Sequence, residues 1–90
     1  MEKERLVVTC AIISDGLRYF ACQRADAKKH GGKWEFPGGK VRSDEGLSEG
    51  IKRELREELN IDVQVLEQLA VITEAYNDFV IRLYPFWCKI

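Results

Sequence analysis

Leu47, Ile51, Leu55 and Leu59 recur every four residues, which lays a single apolar stripe along a helix predicted over Leu47–Leu59. Gly46 can cap the start of that helix, with Glu49 at its third position. Asn60 ends it, because Asn tolerates the left-handed conformation just past a helix terminus. Gly50 is a local fault that costs roughly 1 kcal/mol relative to Ala, and such a glycine often marks close approach by another backbone. No second segment is as convincingly helical. A chain with one amphipathic helix among β-branched apolar runs is constrained to an α+β fold in which the helix covers one face of a sheet.

Residues 6–13 and 17–23 have strand character and flank Asp15-Gly16, a dipeptide that favours primed hairpin turns, so an antiparallel hairpin is predicted. Residues 24–33 contain three lysines, His30 and Gly31-Gly32 and form a loop. Trp34-Glu35-Phe36 alternates as a short strand, and Pro37-Gly38-Gly39 then breaks regular structure. Residues 61–73 and 79–90 are two more predicted strands, with Tyr76-Asn77-Asp78 as a turn. The order is therefore strand, strand, helix, strand, strand, within one domain over residues 1–90. One helix leaves Phe86, Trp87 and Ile90 needing cover that a second helix ordinarily supplies. The domain is expected to lack its C-terminal helix, and the uncovered face would favour a homodimer or aggregation.

The chain is 46% hydrophobic and 32% charged with a net charge of −1, which excludes a disordered chain and a general nucleic-acid or membrane surface. No apolar run approaches a transmembrane length, and the charged N-terminus is no secretory signal. Cys10, Cys22 and Cys88 are odd in number without a C-x-x-C pair. They read as reduced thiols of a cytoplasmic protein.

On a helix, Glu54, Glu57 and Glu58 fall at i, i+3 and i+4 and share one face. Two carboxylates about 6 Å apart repel by roughly 3 kcal/mol at an effective dielectric near 20, and by far less if fully solvated. A solvated acidic face is one account of the trio. A hard-cation site is the other, and two features favour it. Glu54 and Glu58 border the apolar stripe, and a Pro-Gly-Gly turn able to present bare backbone precedes the helix. Oxygen ligands of this kind suit Mg²⁺, or Mn²⁺ in its place, and not zinc.

Gly39, Glu45 and Arg53-Glu54-Leu55-Arg56-Glu57-Glu58-Leu59-Asn60-Ile61 keep the spacing of the Nudix hydrolase signature, which this segment resembles, with Asn60 where that signature has glycine. Gly32-Lys33-Trp34-Glu35-Phe36-Pro37-Gly38-Gly39-Lys40-Val41 and Cys22-Gln23-Arg24 are similar to the MutT-like branch, which includes hydrolases of oxidised purine and of pyrimidine nucleoside triphosphates. The resemblance implies a Nudix-type α/β/α sandwich with a mixed sheet. It further implies that Glu54, Glu57, Glu58 and the Gly38 carbonyl hold Mg²⁺, with Glu54 as first choice for the general base. Arg53 and Glu45 would form an ion pair orienting the carboxylates. Arg24, Glu35, Phe36, Pro37 and Gly38 are the implied contacts for substrate phosphates and base.

The remaining candidates read more plainly. His30 is a solvent-exposed loop histidine, and Lys28, Lys29 and Lys33 either steer a polyphosphate or merely keep a loop soluble. Of Trp34 and Phe36 one faces the core, and the resemblance puts Phe36 near the base. Tyr76 and Trp87 are packing residues. The expected activity is Mg²⁺-dependent hydrolysis of a small-molecule nucleoside triphosphate to the monophosphate and pyrophosphate, a housecleaning role in the nucleotide pool. Two alternatives stand beside it: hydrolysis of another nucleoside-diphosphate-linked compound, and a non-catalytic nucleotide-binding fragment.

Overall fold

Two long strands form the centre of the protein in its computed structural model, which describes residues 3–23 and 34–90, with the backbone alone for residues 22, 23 and 34. β1 (Glu4–Ile13) and the last strand, Phe79–Lys89, run parallel and stay in register from Glu4 against Phe79 to Ile13 against Cys88. The chain reaches that last strand through β2 (Cys22–Gln23), β3 (Trp34–Glu35), β4 (Gly38–Lys40), α1 (Leu47–Leu59), β5 (Gln64–Gln68) and β6 (Ile72–Ala75), so Phe79–Lys89 is β7. β4 pairs antiparallel with the free edge of β1. β5 and β6 pair antiparallel with the far edge of β7, end to end. The result is a five-stranded mixed sheet, with β2 and β3 as a separate two-stranded ladder.

Alternation along the two central strands decides the core. Thr9, Ala11 and Ile13 of β1 and Phe86 and Cys88 of β7 are buried, together with Ile51 and Leu55 of α1 and Val63. Ile51 and Leu55 are fully buried, and each such side chain contributes roughly 1.5–3 kcal/mol before entropy is counted. Leu47 and Leu59 pack at the margin of the same cluster. The helix therefore takes the predicted stripe and the predicted bounds. Glu49 Oε1 accepts the Gly46 N–H at 3.3 Å, and Asn60 adopts the left-handed conformation, with φ 55°. Gly50 is approached by the side chains of Glu45 and Val41, and not by another backbone.

Three expectations about the strands are corrected. The hairpin between residues 6–13 and 17–23 closes only at its tip, where Ser14 bridges Tyr19 and the Phe20 N–H donates to the Ile13 carbonyl at 2.9 Å. Asp15 Oδ1 holds the turn by accepting the N–H groups of Leu17 and Arg18. Beyond the tip both edges of β1 are taken. β7 occupies one, while β4 and the Pro37 carbonyl, which accepts the Ala11 N–H at 2.8 Å, occupy the other. Residues 22–23 pair with β3 instead.

The Pro-Gly-Gly segment does not break the sheet either, since Gly38–Lys40 is itself β4. Its glycines permit the pairing, because a Cβ on Gly38 would lie 2.0 Å from the Thr9 carbonyl oxygen. Residues 61–73 are not one strand, and pairing with β7 is interrupted between β5 and β6. There the Leu69 N–H donates to the Pro85 carbonyl at 2.9 Å, while Pro85 has no N–H to return. A register shift between Val65 and Glu67 adds to the break.

Phe86, expected to need cover, lies under α1 at 4% exposure. Trp87 points to the opposite face, where Tyr19 stacks on it with centroids 6.1 Å apart, and Ile90 is exposed. Cys10 and Cys88 are free thiols, and burial pushes the Cys88 thiol up to about 11. Among the described residues no helix is long and apolar enough to cross a membrane. Arg24, Lys28, Lys29, His30, Lys33 and the Trp34 side chain lie outside the described residues.

Candidate active site

Arg53 leaves α1 on the side that faces β4 and gathers the acidic residues around one guanidinium. Its Nε donates to Glu45 Oε2 at 2.9 Å, and its Nη2 donates to Glu45 Oε1 at 2.6 Å and to the Lys40 carbonyl at 3.1 Å. Nη1 donates to Glu57 Oε1 at 2.8 Å and Glu54 Oε1 at 3.2 Å. The helix brings Arg53 and Glu57 together at i,i+4, and the loop before it supplies Glu45. The side chains of Arg53, Glu45 and Glu54 are 18%, 11% and 17% exposed, so these charges meet in a largely dry setting, whereas Glu57 is half exposed.

Arg42 adds a second cation. Its backbone N–H donates to Glu45 Oε1 at 2.9 Å, and its Nη2 lies 3.5 Å from Glu57 Oε1. The Arg53 hydrogen bonds first, and the Arg42 N–H second, pull the Glu45 carboxyl down to about 2. The same guanidinium lowers Glu57, and its carboxylate partners raise Arg53 in turn.

Glu54 lies directly against the backbone of β4. A Cβ on Gly39 would sit 2.6 Å from Glu54 Cδ, so a glycine is what lets that carboxylate reach the strand. Glu58 is exposed on the next position of the helix. Among the described residues no three acidic, imidazole or thiol groups are gathered around one point, and Arg53 Nη1 links Glu54 and Glu57. The donor set still fits a hard divalent cation. All its side-chain donors are carboxylate oxygens, and a positive group, Arg53 Nη1, already sits between two of them.

On the other face of the sheet, a cleft of ≈ 660 Å³ begins at the same glycines. Val8 and Cys10 of β1, Ile81 and Leu83 of β7 and Ile72 of β6 form its floor, with Ala21 and Phe36 at its rim. Glu35 and Glu74 are the charged residues among its described lining. Tyr19 meets the Phe36 ring edge-on, with centroids 6.3 Å apart. Gly39 thus belongs to both features, lining the cleft and underlying Glu54.

Of the residues singled out from the sequence, Glu45, Arg53, Glu54 and Glu57 converge, while Glu35, Phe36 and Gly38 line the cleft. Pro37 is buried, with its carbonyl on the edge of β1. Sequence reasoning missed Arg42, the Lys40 carbonyl, Glu74 and the cleft floor. For the floor a signal existed, since the alternate residues of β1 and β7 that do not face α1 are also apolar.

A family model described as "NUDIX domain" matches residues 3–88. An "8-oxo-dGTP diphosphatase" of Proteus vulgaris is 36% identical over 87 residues, covering 96% of this chain and 78% of the relative. A "CTP pyrophosphohydrolase" of Escherichia coli (strain K12) is 38% identical over 79 residues, covering 88% of this chain and 58% of the relative. The crystal structure of a MutT protein from Methanosarcina mazei Go1 superposes with a TM-score of 0.86 at 26% identity, covering all of this chain and 67% of that one. The chain thus spans between about three fifths and four fifths of the length of these relatives.

Proposed function

Since this chain belongs to the Nudix hydrolase family, we propose that it cleaves a nucleoside triphosphate, of the oxidised purine or pyrimidine type, to the monophosphate and pyrophosphate. The observation that carries this is the shared position of Gly38-Gly39, which join an apolar cleft wide enough for a base to a dry, arginine-clamped carboxylate cluster. A nucleotide laid across the sheet puts its base in the cleft against Phe36 and Glu35, with Pro37 backing them, and carries its phosphates over β4 toward α1. Arg24 is the further contact we assign to the phosphates.

Glu54, Glu57, Glu58 and the Gly38 carbonyl would hold Mg²⁺, or Mn²⁺ in its place. When bound, that ion supplies charge to neutralise the polyphosphate and lowers the pKa of the attacking water. Glu54, pressed against Gly39 at the edge of the cleft, takes the proton from that water. Arg53 touches neither substrate nor water in this scheme. It fixes Glu54 and Glu57 in place and is itself fixed by Glu45, a positioning role. The free thiols Cys10 and Cys88 suit a reducing cytoplasmic setting for such a housecleaning enzyme.

The test is a panel of nucleotides assayed for released pyrophosphate against released phosphate. Glu57→Gln keeps the shape of the side chain and removes its charge, and should abolish Mg²⁺-dependent pyrophosphate release with an unchanged circular dichroism spectrum. Full turnover by that variant would exclude the mechanism.

A further inference from the structure

Glu74 lines the same cleft as Gly39 from the other side of the sheet, level with Leu6 and Ile81 where Gly39 is level with Thr9 and Tyr84. β4 and β6 are three strand steps apart, roughly 14 Å at about 4.8 Å a step, and the offset of three residues along the strands, about 10 Å, makes the separation of Gly39 and Glu74 roughly 17 Å. That is the reach of an extended nucleoside triphosphate from the hydrogen-bonding edge of its base to its outermost phosphate. A nucleotide whose phosphates cross Gly39 therefore brings the edge of its base to β6. The assignment rests on the nucleotide function proposed above.

The chemistry of that wall is one-sided. Glu35 and Glu74 are the charged groups among the described lining, and the other side chains there are apolar apart from a thiol and a threonine hydroxyl. An ionised carboxylate only accepts hydrogen bonds. The Glu74 carboxylate is also oriented, because the Tyr76 hydroxyl donates to its Oε2 at 2.7 Å. Tyr76 is held in turn by stacking on Phe79, with centroids 4.8 Å apart and rings inclined by 22°. A carboxylate has about four acceptor positions, and the Tyr76 bond engages one of them.

We propose that Glu74 selects the base of the substrate, favouring purines that present adjacent N1–H and N2–H donors, as guanine does. Two parallel N–H groups match the two oxygens of one carboxylate. Cytosine and adenine place an acceptor ring nitrogen beside their amino group, which the carboxylate repels. Uracil flanks its single N–H with two carbonyl oxygens. Hypoxanthine keeps N1–H and lacks the amino group, so it isolates the second donor.

Equilibrium dialysis of GMP, IMP, CMP and UMP against the wild-type chain, Glu74→Gln and Glu74→Ala, with Mg²⁺ present, tests this directly. The wild type should bind GMP about tenfold or more tightly than IMP, the range expected of a hydrogen bond to a charged group. Both variants should bring that ratio to within about twofold of unity, with unchanged circular dichroism because Glu74 is exposed. Equal wild-type affinity for GMP and IMP would overturn the assignment. So would an unchanged ratio in the variants, CMP or UMP binding as tightly as GMP, or no binding of any of the four. Pyrophosphate release from GTP is measured alongside. Guanine selectivity that depends on Glu74, in a chain that releases no pyrophosphate, would sink the catalytic function and leave the assignment standing.

Discussion

Glu45 shows how one side chain acts on the site without touching it. Its two oxygens accept four hydrogen bonds, three from Arg53 and one from the Arg42 backbone, so the ionised form is strongly favoured. The carboxyl falls from its ordinary 4.5 to about 2. Across that interval the unfolded chain binds a proton that the folded chain refuses. Stability therefore rises with pH through the interval and is lost as pH falls through about 2. Glu57, lowered by the same guanidinium, adds a dependence of the same sign. In metal-free buffer the urea midpoint should drop steadily from pH 4.5 to pH 2, and Glu45→Gln should flatten the drop over that window. An identical slope in the variant would mean that the clamp does not contribute to folding. A carboxylate held ionised in this way keeps Arg53 aimed at Glu54 and Glu57 at any pH where nucleotides are hydrolysed.

The helix carries the same clamp on its back, which makes Gly50 informative at the scale of the element. Alanine in a helix interior is favoured over glycine by about 1 kcal/mol. A Cβ at Gly50, however, would lie 3.1 Å from Glu45 Oε1 and 3.4 Å from Val41 Cγ2. Glu45 Oε1 is pinned by Arg42 and Arg53 and cannot give way cheaply. Gly50→Ala alone should therefore gain little stability in urea titrations. In a Glu45→Ala background the same change should gain about 1 kcal/mol, a coupling that a double-mutant cycle measures. Additive effects would remove Glu45 as the reason for the glycine. Sequence periodicity could find α1, its caps and its carboxylates, because each of those signals lies within a few residues of the others. It could not find who approaches Gly50, since Glu45 folds back from outside the helix. β4 was hidden for a related reason. Gly38 and Gly39 read as a break, yet the absent side chains are what admit Thr9 and Glu54 to the strand. The split between β5 and β6 is imposed by Pro85 of the partner strand, and the cleft floor is assembled from β1, β6 and β7, distant in sequence. Glu74, on an exposed strand, carried no local signal at all.

Over the whole molecule the charges nearly cancel, at a net −1, yet they are unevenly placed. Around the junction of β4 and α1, Glu45, Glu54 and Glu57 face Arg42 and Arg53, three negative charges against two positive. That excess of negative charge lies where α1 meets β4, so a cation bound there would oppose repulsion and join two elements that also share the Ile51 and Leu55 core. Any ion that binds the folded chain alone stabilises it by mass action, about 2.7 kcal/mol at a hundredfold excess over its dissociation constant. For a domain of this size that corresponds to a rise in Tm of roughly 10–20 °C. Scanning calorimetry of the chelator-treated protein with and without Mg²⁺ should show that rise, and NaCl of equal ionic strength should not reproduce it. The doubly substituted Glu54→Gln, Glu57→Gln chain, which retains Arg53 and Glu45, should show almost none. An equal rise in wild type and double variant would place the ion elsewhere on the surface and detach the carboxylates of α1 from metal binding, whatever the rate of hydrolysis.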